Sequence, residues 1–160
     1  MSKPVKIAYL EISPRMTGKT TRLCALANDL SANGQTVIYV CIPNLAPGLR
    51  KNMPRVTVLE DGQPVPDGVD VAKAIWLYDE FDRLTSTVIR EGAHYATTAA
   101  RLRQAGAPAP GDILMALIKA NGNRHERHLL PAFLWEFICD HRPTMSAEQF
   151  RMNMLGEFLS

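Results

Sequence analysis

The sequence predicts an α/β protein: a three-layer sandwich with a mainly parallel central sheet and helices on both faces. Three observations lead there. Residues 6–12, 36–42 and 74–78 form near-continuous apolar runs, as strands buried on both faces require. A helical pattern of apolar residues, Leu23, Ala27 and Leu30, separates the first two runs. The third run ends in Asp79-Glu80, which puts charge at the C-terminal edge of a strand, where open α/β sheets bind ligands.

Length and composition set the frame. The chain has 160 residues, 46% hydrophobic and 21% charged, with net charge +2. This is one domain of ordinary size, spanning 1–160. A chain this long buries about 70% of its unfolded surface and needs no disulfide staple. The near-balanced charge does not by itself point to nucleic acid. Cys24, Cys41 and Cys139 are widely spaced and lie among apolar residues; they read as small core residues of a reducing compartment. No charged n-region precedes an apolar h-region, and no run approaches a membrane span. The expected location is cytoplasmic, with no membrane partner.

Between the first strand and the first helix stand Ser13, Pro14, Arg15, Met16, Thr17, Gly18, Lys19, Thr20 and Thr21. A tight turn ending Gly-Lys-Thr, after a strand and before a helix, is the setting of a phosphate-cradling loop. Its backbone N–H groups and the helix N-terminus form an anion site. Lys19 would reach the β- and γ-phosphates, and the Thr20 hydroxyl would sit on Mg²⁺. The pattern Gly-x-x-x-x-Gly-Lys-Ser/Thr is broken at its first position by Ser13, a residue that serves where φ need not be positive. A structural turn is the plainer alternative, and the flanking strand and helix argue against it.

Asn33-Gly34 closes the helix, and 36–42 completes a right-handed βαβ unit. Residues 43–54, with three prolines and Gly48, read as a loop. Residues 55–60 read as a short strand, and 60–70 as a surface connection. After the strand at 74–78, Asp79 would hold the hydration shell of Mg²⁺, and Glu80 would polarise the water that attacks the γ-phosphate. Residues 83–91 suit a helix stopped by Gly92, and 94–99 a buried strand ending in Thr97-Thr98, hydroxyls placed to sense the γ-phosphate. One long helix through Arg103 is the alternative. Residues 105–111 form a Pro-Gly loop, and Asp112 caps a helix to Ala120. A polar turn follows, then an edge strand at 128–130 and an apolar, aromatic helix at 132–139. Ser146 and Gln149 make a capping box for a last helix to Leu159, with Phe150, Met154, Leu155 and Phe158 as its buried stripe. His125 and His128 lack the His-Glu-x-x-His spacing of a zinc site.

With the loop, the Asp79-Glu80 strand end and the adjacent carboxylate, the chain resembles P-loop ATPases of the additional-strand, catalytic-Glu type, with a RecA/terminase-like fold. Residues 78–81 (Tyr-Asp-Glu-Phe), the Ala96-Thr97-Thr98 strand end and the tail at 145–160 are similar, in the same order, to segments of phage terminase large subunits. The resemblance implies an ATP-hydrolysing, Mg²⁺-dependent motor subunit that packages viral double-stranded DNA. It implies Lys19, Thr20 and Arg15 on the phosphates, Thr20 and Asp79 at the metal, Glu80 as the catalytic carboxylate, and Thr97 and Thr98 as couplers of γ-phosphate state to motion. It also implies a homo-oligomeric ring, an arginine from a neighbouring subunit (Arg101 and Arg124 being the candidates), and a portal, small terminase subunit or separate nuclease as partners. Nuclease activity is not expected of this chain.

Independently of the family, basic residues cluster at Arg50, Lys51 and Arg55, at Arg101 and Arg103, and at Arg124 and Arg127. The first and third clusters would grip DNA phosphates non-specifically if they shared a face; a solvated surface is the plainer reading. Two other functions fit a loop of this kind: a small-molecule kinase of nucleoside or nucleotide type, and a nucleotide-binding structural or regulatory phage protein with little turnover.

Overall fold

The computed structural model describes residues 3–107 and 109–160. Five strands, β1 (Tyr9–Ile12), β2 (Val37–Cys41), β3 (Thr57–Glu60), β4 (Ile75–Asp79) and β5 (His94–Thr97), form one sheet in the order β1-β5-β4-β2-β3. All four neighbouring pairs run parallel. All five strand C-termini therefore open on one edge of the sheet, and β5 lies between β1 and β4.

The strands alternate between two cores, as the pleat dictates. Ile38, Val40, Trp76, Tyr78, Leu10, Ile12 and Tyr95 face one core, with Leu114 and Leu117 of helix α3 (Ile113–Ala120). Val37, Tyr39, Cys41, Val58, Leu77 and Ala96 face the other, with Leu23 and Ala27 of α1 (Lys19–Ala32) and Ala46 and Leu49 of α2 (Ala46–Asn52). Helices thus flank both faces, as the sequence predicts. Among the described residues no helix is long and apolar enough to cross a membrane.

Five local expectations are corrected. Residues 43–54 hold α2 rather than a loop: Pro47 lies in the first turn, where its missing N–H costs nothing, and Ala46, Leu49 and Met53 bury one face. Residues 83–91 form no α-helix. A single 3₁₀ turn, Phe81–Arg83, is followed by irregular chain. Thr85, Thr87, Val88 and Ile89 are stiff, poor helix formers, and side chains elsewhere satisfy their backbone. Asp61 accepts from the Thr85 and Ser86 N–H groups at 2.8 and 2.9 Å, and the Tyr95 hydroxyl donates to Val88 O at 2.7 Å. Burial raises the Asp61 pKa, but hydrogen bonds from Ser86 and Thr85 outweigh it and leave the carboxyl below its ordinary value.

Residues 128–130 form no strand. Glu126 makes the bridge instead: its N–H donates to Leu10 O and its O accepts from the Ile12 N–H, at 2.8 and 2.9 Å, parallel to β1. The last helix stops early. Ser146 and Gln149 form the expected capping box for α5 (Ala147–Phe150), but a wide π turn, Arg151–Leu155, ends at Gly156 with φ 68°. Phe158 is buried from an extended segment, not from a helical stripe. Cys139 is exposed rather than core, and Cys41 is buried. Cys139 belongs to α4 (Trp135–His141), which buries Ile138 and leaves Trp135 exposed, next to the exposed Phe133. The alternative of one helix through Arg103 is excluded by β5.

Candidate functional site

Strand β1 delivers the 13–19 loop to the sheet edge where β4 and β5 also end. Ser13 is fully buried; its N–H donates to Thr97 O at 3.0 Å, and its hydroxyl accepts from the His128 N–H at 2.9 Å. That is why serine serves here: positive φ falls at Met16 (58°) and Gly18 (83°), not at Ser13. Gly18 is constrained twice, because a Cβ there would lie 3.2 Å from the Arg22 guanidinium. The first helical bond of α1 runs from the Arg22 N–H to Gly18 O. The N–H groups ahead of Arg22 therefore have no helical acceptor.

Two side chains that sequence reasoning missed hold the loop. Arg22 grips Glu11 of β1 through Nη2 and Nε, at 2.8 and 3.0 Å, and its Nη1 donates to Thr17 O. Glu11 is 1% exposed, so the pair is worth more as a register device than as surface charge. The spacing offered a signal, since Arg22 sits one turn after Gly18. The C-terminal tail holds the loop from the other side. The Arg15 N–H donates to Asn153 O at 2.6 Å, and a Cβ on Gly156 would lie 2.7 Å from the Pro14 ring.

Lys19, 5% exposed, folds back to donate to Pro14 O at 3.0 Å and lies 3.5 Å from Glu80 Oε1. The Thr20 hydroxyl donates to Asp79 Oδ2 at 2.8 Å, and Tyr39, unsuspected from sequence, donates to the same oxygen at 2.9 Å. Asp79 Oδ1 is buried and has no partner among the described residues, as is Thr98 Oγ1. Burial raises the Asp79 pKa, with the bonds from Thr20 and Tyr39 opposing it. Burial, then Asp79, pushes the Tyr39 phenol far up, so Tyr39 stays a donor.

Glu80 sits in the left-handed region at φ 53°, ψ 44°. For a residue with a Cβ this costs about 1–3 kcal/mol and is a mark of functional sites. The conformation is held from three sides: Arg83 N–H donates to Glu80 O at 2.9 Å, Thr98 N–H donates to Oε2 at 3.1 Å, and the Thr97 hydroxyl lies 3.4 Å from Oε2. Arg15, Met16, Gly18, Lys19, Thr20, Thr21, Ile42, Glu80 and Arg83 line one cleft of about 720 Å³. The structure therefore brings together the loop, the acidic pair and the two threonines that the sequence singled out. Arg83 and Ile42 are additions.

The basic clusters fare differently. Arg50 and Lys51 end α2 and Arg55 precedes β3, whereas Arg124 and Arg127 flank the Glu126 bridge to β1. β1 and β3 are the outer strands, so the two clusters lie near opposite edges of the sheet. Arg50 also donates to Val58 O, and Arg127 to Leu155 O. Arg103 is buried, bonded to Asp82 at 2.7 Å and to Asp112 at 2.9 Å, and Arg101 lies 3.5 Å from Asp112.

No protein-family model, no curated protein and no solved structure matches the chain.

Proposed function

We propose that the chain is a Mg²⁺-dependent ATPase of the P-loop, additional-strand type, and a motor subunit resembling the terminase ATPase that translocates double-stranded DNA. The observation that carries the reading is the convergence of Lys19, Thr20 and Glu80 on one cleft at the C-terminal edge of a parallel sheet, with Asp79 bonded to Thr20 behind them. The strand order supports it, because β5 separates the loop strand β1 from the acidic strand β4.

A divalent ion fits the donors present. Mg²⁺ takes hard oxygen ligands and is held by one or two protein groups plus phosphates and water. The Thr20 hydroxyl and the partnerless Asp79 Oδ1 are such donors. Bound there, the ion would supply charge neutralisation of the phosphates. The chain's own residues do the rest. The free N–H groups at the start of α1 and Lys19 bind the β- and γ-phosphates; Lys19 trades Pro14 O and Glu80 for them. Arg15, on the exposed rim, adds a second cation. Glu80 takes a proton from water as the water oxygen bonds to the γ-phosphorus. The bond from that phosphorus to the β–γ bridging oxygen breaks, and the electron pair leaves with ADP. Thr97 and Thr98, bonded to Glu80, move with its state.

The reading is tested by phosphate release from ATP and Mg²⁺, with and without double-stranded DNA. Release stimulated by DNA is the expected result. Release indifferent to DNA removes the motor assignment. Phosphate transfer to a nucleoside marks the kinase alternative, and nucleotide retention without turnover marks a structural or regulatory role.

A further inference from the structure

Arg83 has no part in the reading so far, and its position is unusual. It stands three residues after Glu80, at the end of the 3₁₀ turn that the left-handed Glu80 initiates. Its guanidinium lies 3.8 Å from Glu80 Oε2 and lines the same cleft as Lys19 and Thr20. Glu80 is thus held between two cations, Lys19 at 3.5 Å on Oε1 and Arg83 on Oε2. The Arg83 side chain is 34% exposed, so it is neither locked in the core nor free in solvent. Arg22 is committed to Glu11 and Arg103 to Asp82 and Asp112, while Arg15 stands on the exposed rim of the cleft.

Lys19 and Arg83 thus present two positive charges to the cleft, with Glu80 between them. A polyphosphate entering the cleft competes for both. Arginine matches phosphate oxygens through its planar fork and binds them more strongly than a point charge placed at the same distance. On the reading of the cleft as an ATP site, we infer that Arg83 is a catalytic residue supplied by the chain itself: it leaves Glu80 for the terminal phosphate and neutralises charge developing on the γ-phosphoryl oxygens. The site then needs no arginine from a neighbouring copy for this task. The turn geometry suits the exchange. Backbone N–H of Arg83 stays bonded to Glu80 O at 2.9 Å, so the side chain can swing while the turn keeps its shape.

The experiment compares the wild type with Arg83→Met and Arg83→Lys. Three quantities are read: kcat for ATP, the ratio of affinities for a non-hydrolysable ATP analogue and ADP with Mg²⁺, and the thermal midpoint. Expected for Arg83→Met is a fall in kcat of about a thousandfold, a lost preference for the triphosphate analogue over ADP, and an unchanged midpoint. Arg83→Lys should recover part of the preference and little of the rate. A fall in kcat with the affinity ratio unchanged would make Arg83 a positioning residue for Glu80 and overturn the inference. So would wild-type kcat in Arg83→Met. A wild type that binds neither nucleotide overturns the ATP-site reading itself and the inference with it.

Discussion

Glu80→Gln is expected to stop turnover while leaving ATP bound. Gln keeps the shape, and its carbonyl still accepts from the Thr98 N–H, now 3.1 Å from Glu80 Oε2. It cannot take a proton from water. A positioned general base contributes about 10²–10⁴-fold, so kcat should fall by that factor with affinity for ATP changed little or improved. Lys19 and Arg83 each lose a charged partner, which removes the competition that the phosphates face in the wild type. Turnover within a few-fold of wild type would remove Glu80 as the base. A loss of binding in parallel would instead make its role structural, through the strained turn at φ 53°.

Arg103→Met is expected to destabilise the fold more than any change in the cleft. Arg103 bridges Asp82 and Asp112, and all three side chains are 5% exposed or less. Both carboxylates have further work. Asp112 caps α3 by accepting from the Met115 N–H, and Asp82 accepts from the Ala100 N–H at 2.7 Å. Burial raises the Asp112 pKa, but the bond and charge of Arg103 outweigh it and leave it low; without the arginine that stabilisation is lost and the carboxylate stays buried without its main partner. Leaving buried charge unpaired costs about 3–5 kcal/mol, a large share of the 5–15 kcal/mol or so that holds a typical domain. For a chain of this length that lowers the midpoint by roughly 6–20 °C, readable by calorimetry or far-UV circular dichroism. A shift of a degree or two would mean that water reaches the cluster. The same cluster bears on the site. Asp82 lies two residues after Glu80, and the tail pairs with Arg103 through the Arg103 N–H to Phe158 O bond at 2.7 Å.

The sheet and the two halves of the site were legible because each is written locally. Apolar runs of a few residues specify buried strands, and a Gly-Lys-Thr turn or an Asp-Glu strand end carries its chemistry in adjacent residues. What was not legible depends on distant partners. Residues 83–91 have a tolerable helical pattern, but Asp61 and Tyr95 offer their backbone better bonds. Ser13 looked like a defect in a glycine pattern; the His128 N–H and the Thr97 carbonyl explain it. Arg22, Tyr39 and Arg83 look like ordinary helix, strand and turn residues until β1, β2 and β4 are laid side by side. Helix α2 could have been found, since Ala46, Leu49 and Met53 follow helical spacing, but its proline and glycine masked it. The tail was recognised as distinctive without its job being visible: Asn153 and Gly156 rest on Arg15 and Pro14, at the start of the loop.

The central claim is that the 13–19 loop, with Lys19 at its end, holds the phosphates of a nucleotide. Calorimetric titration of the wild type and Lys19→Ala with ATP and Mg²⁺ tests it most directly, with circular dichroism to establish that both are folded. The account predicts one ATP bound per wild-type chain and an affinity lower by about tenfold or more in Lys19→Ala, the size of a lost charge-assisted hydrogen bond. A folded wild type that takes up no ATP, or equal affinity in the two proteins, would contradict it.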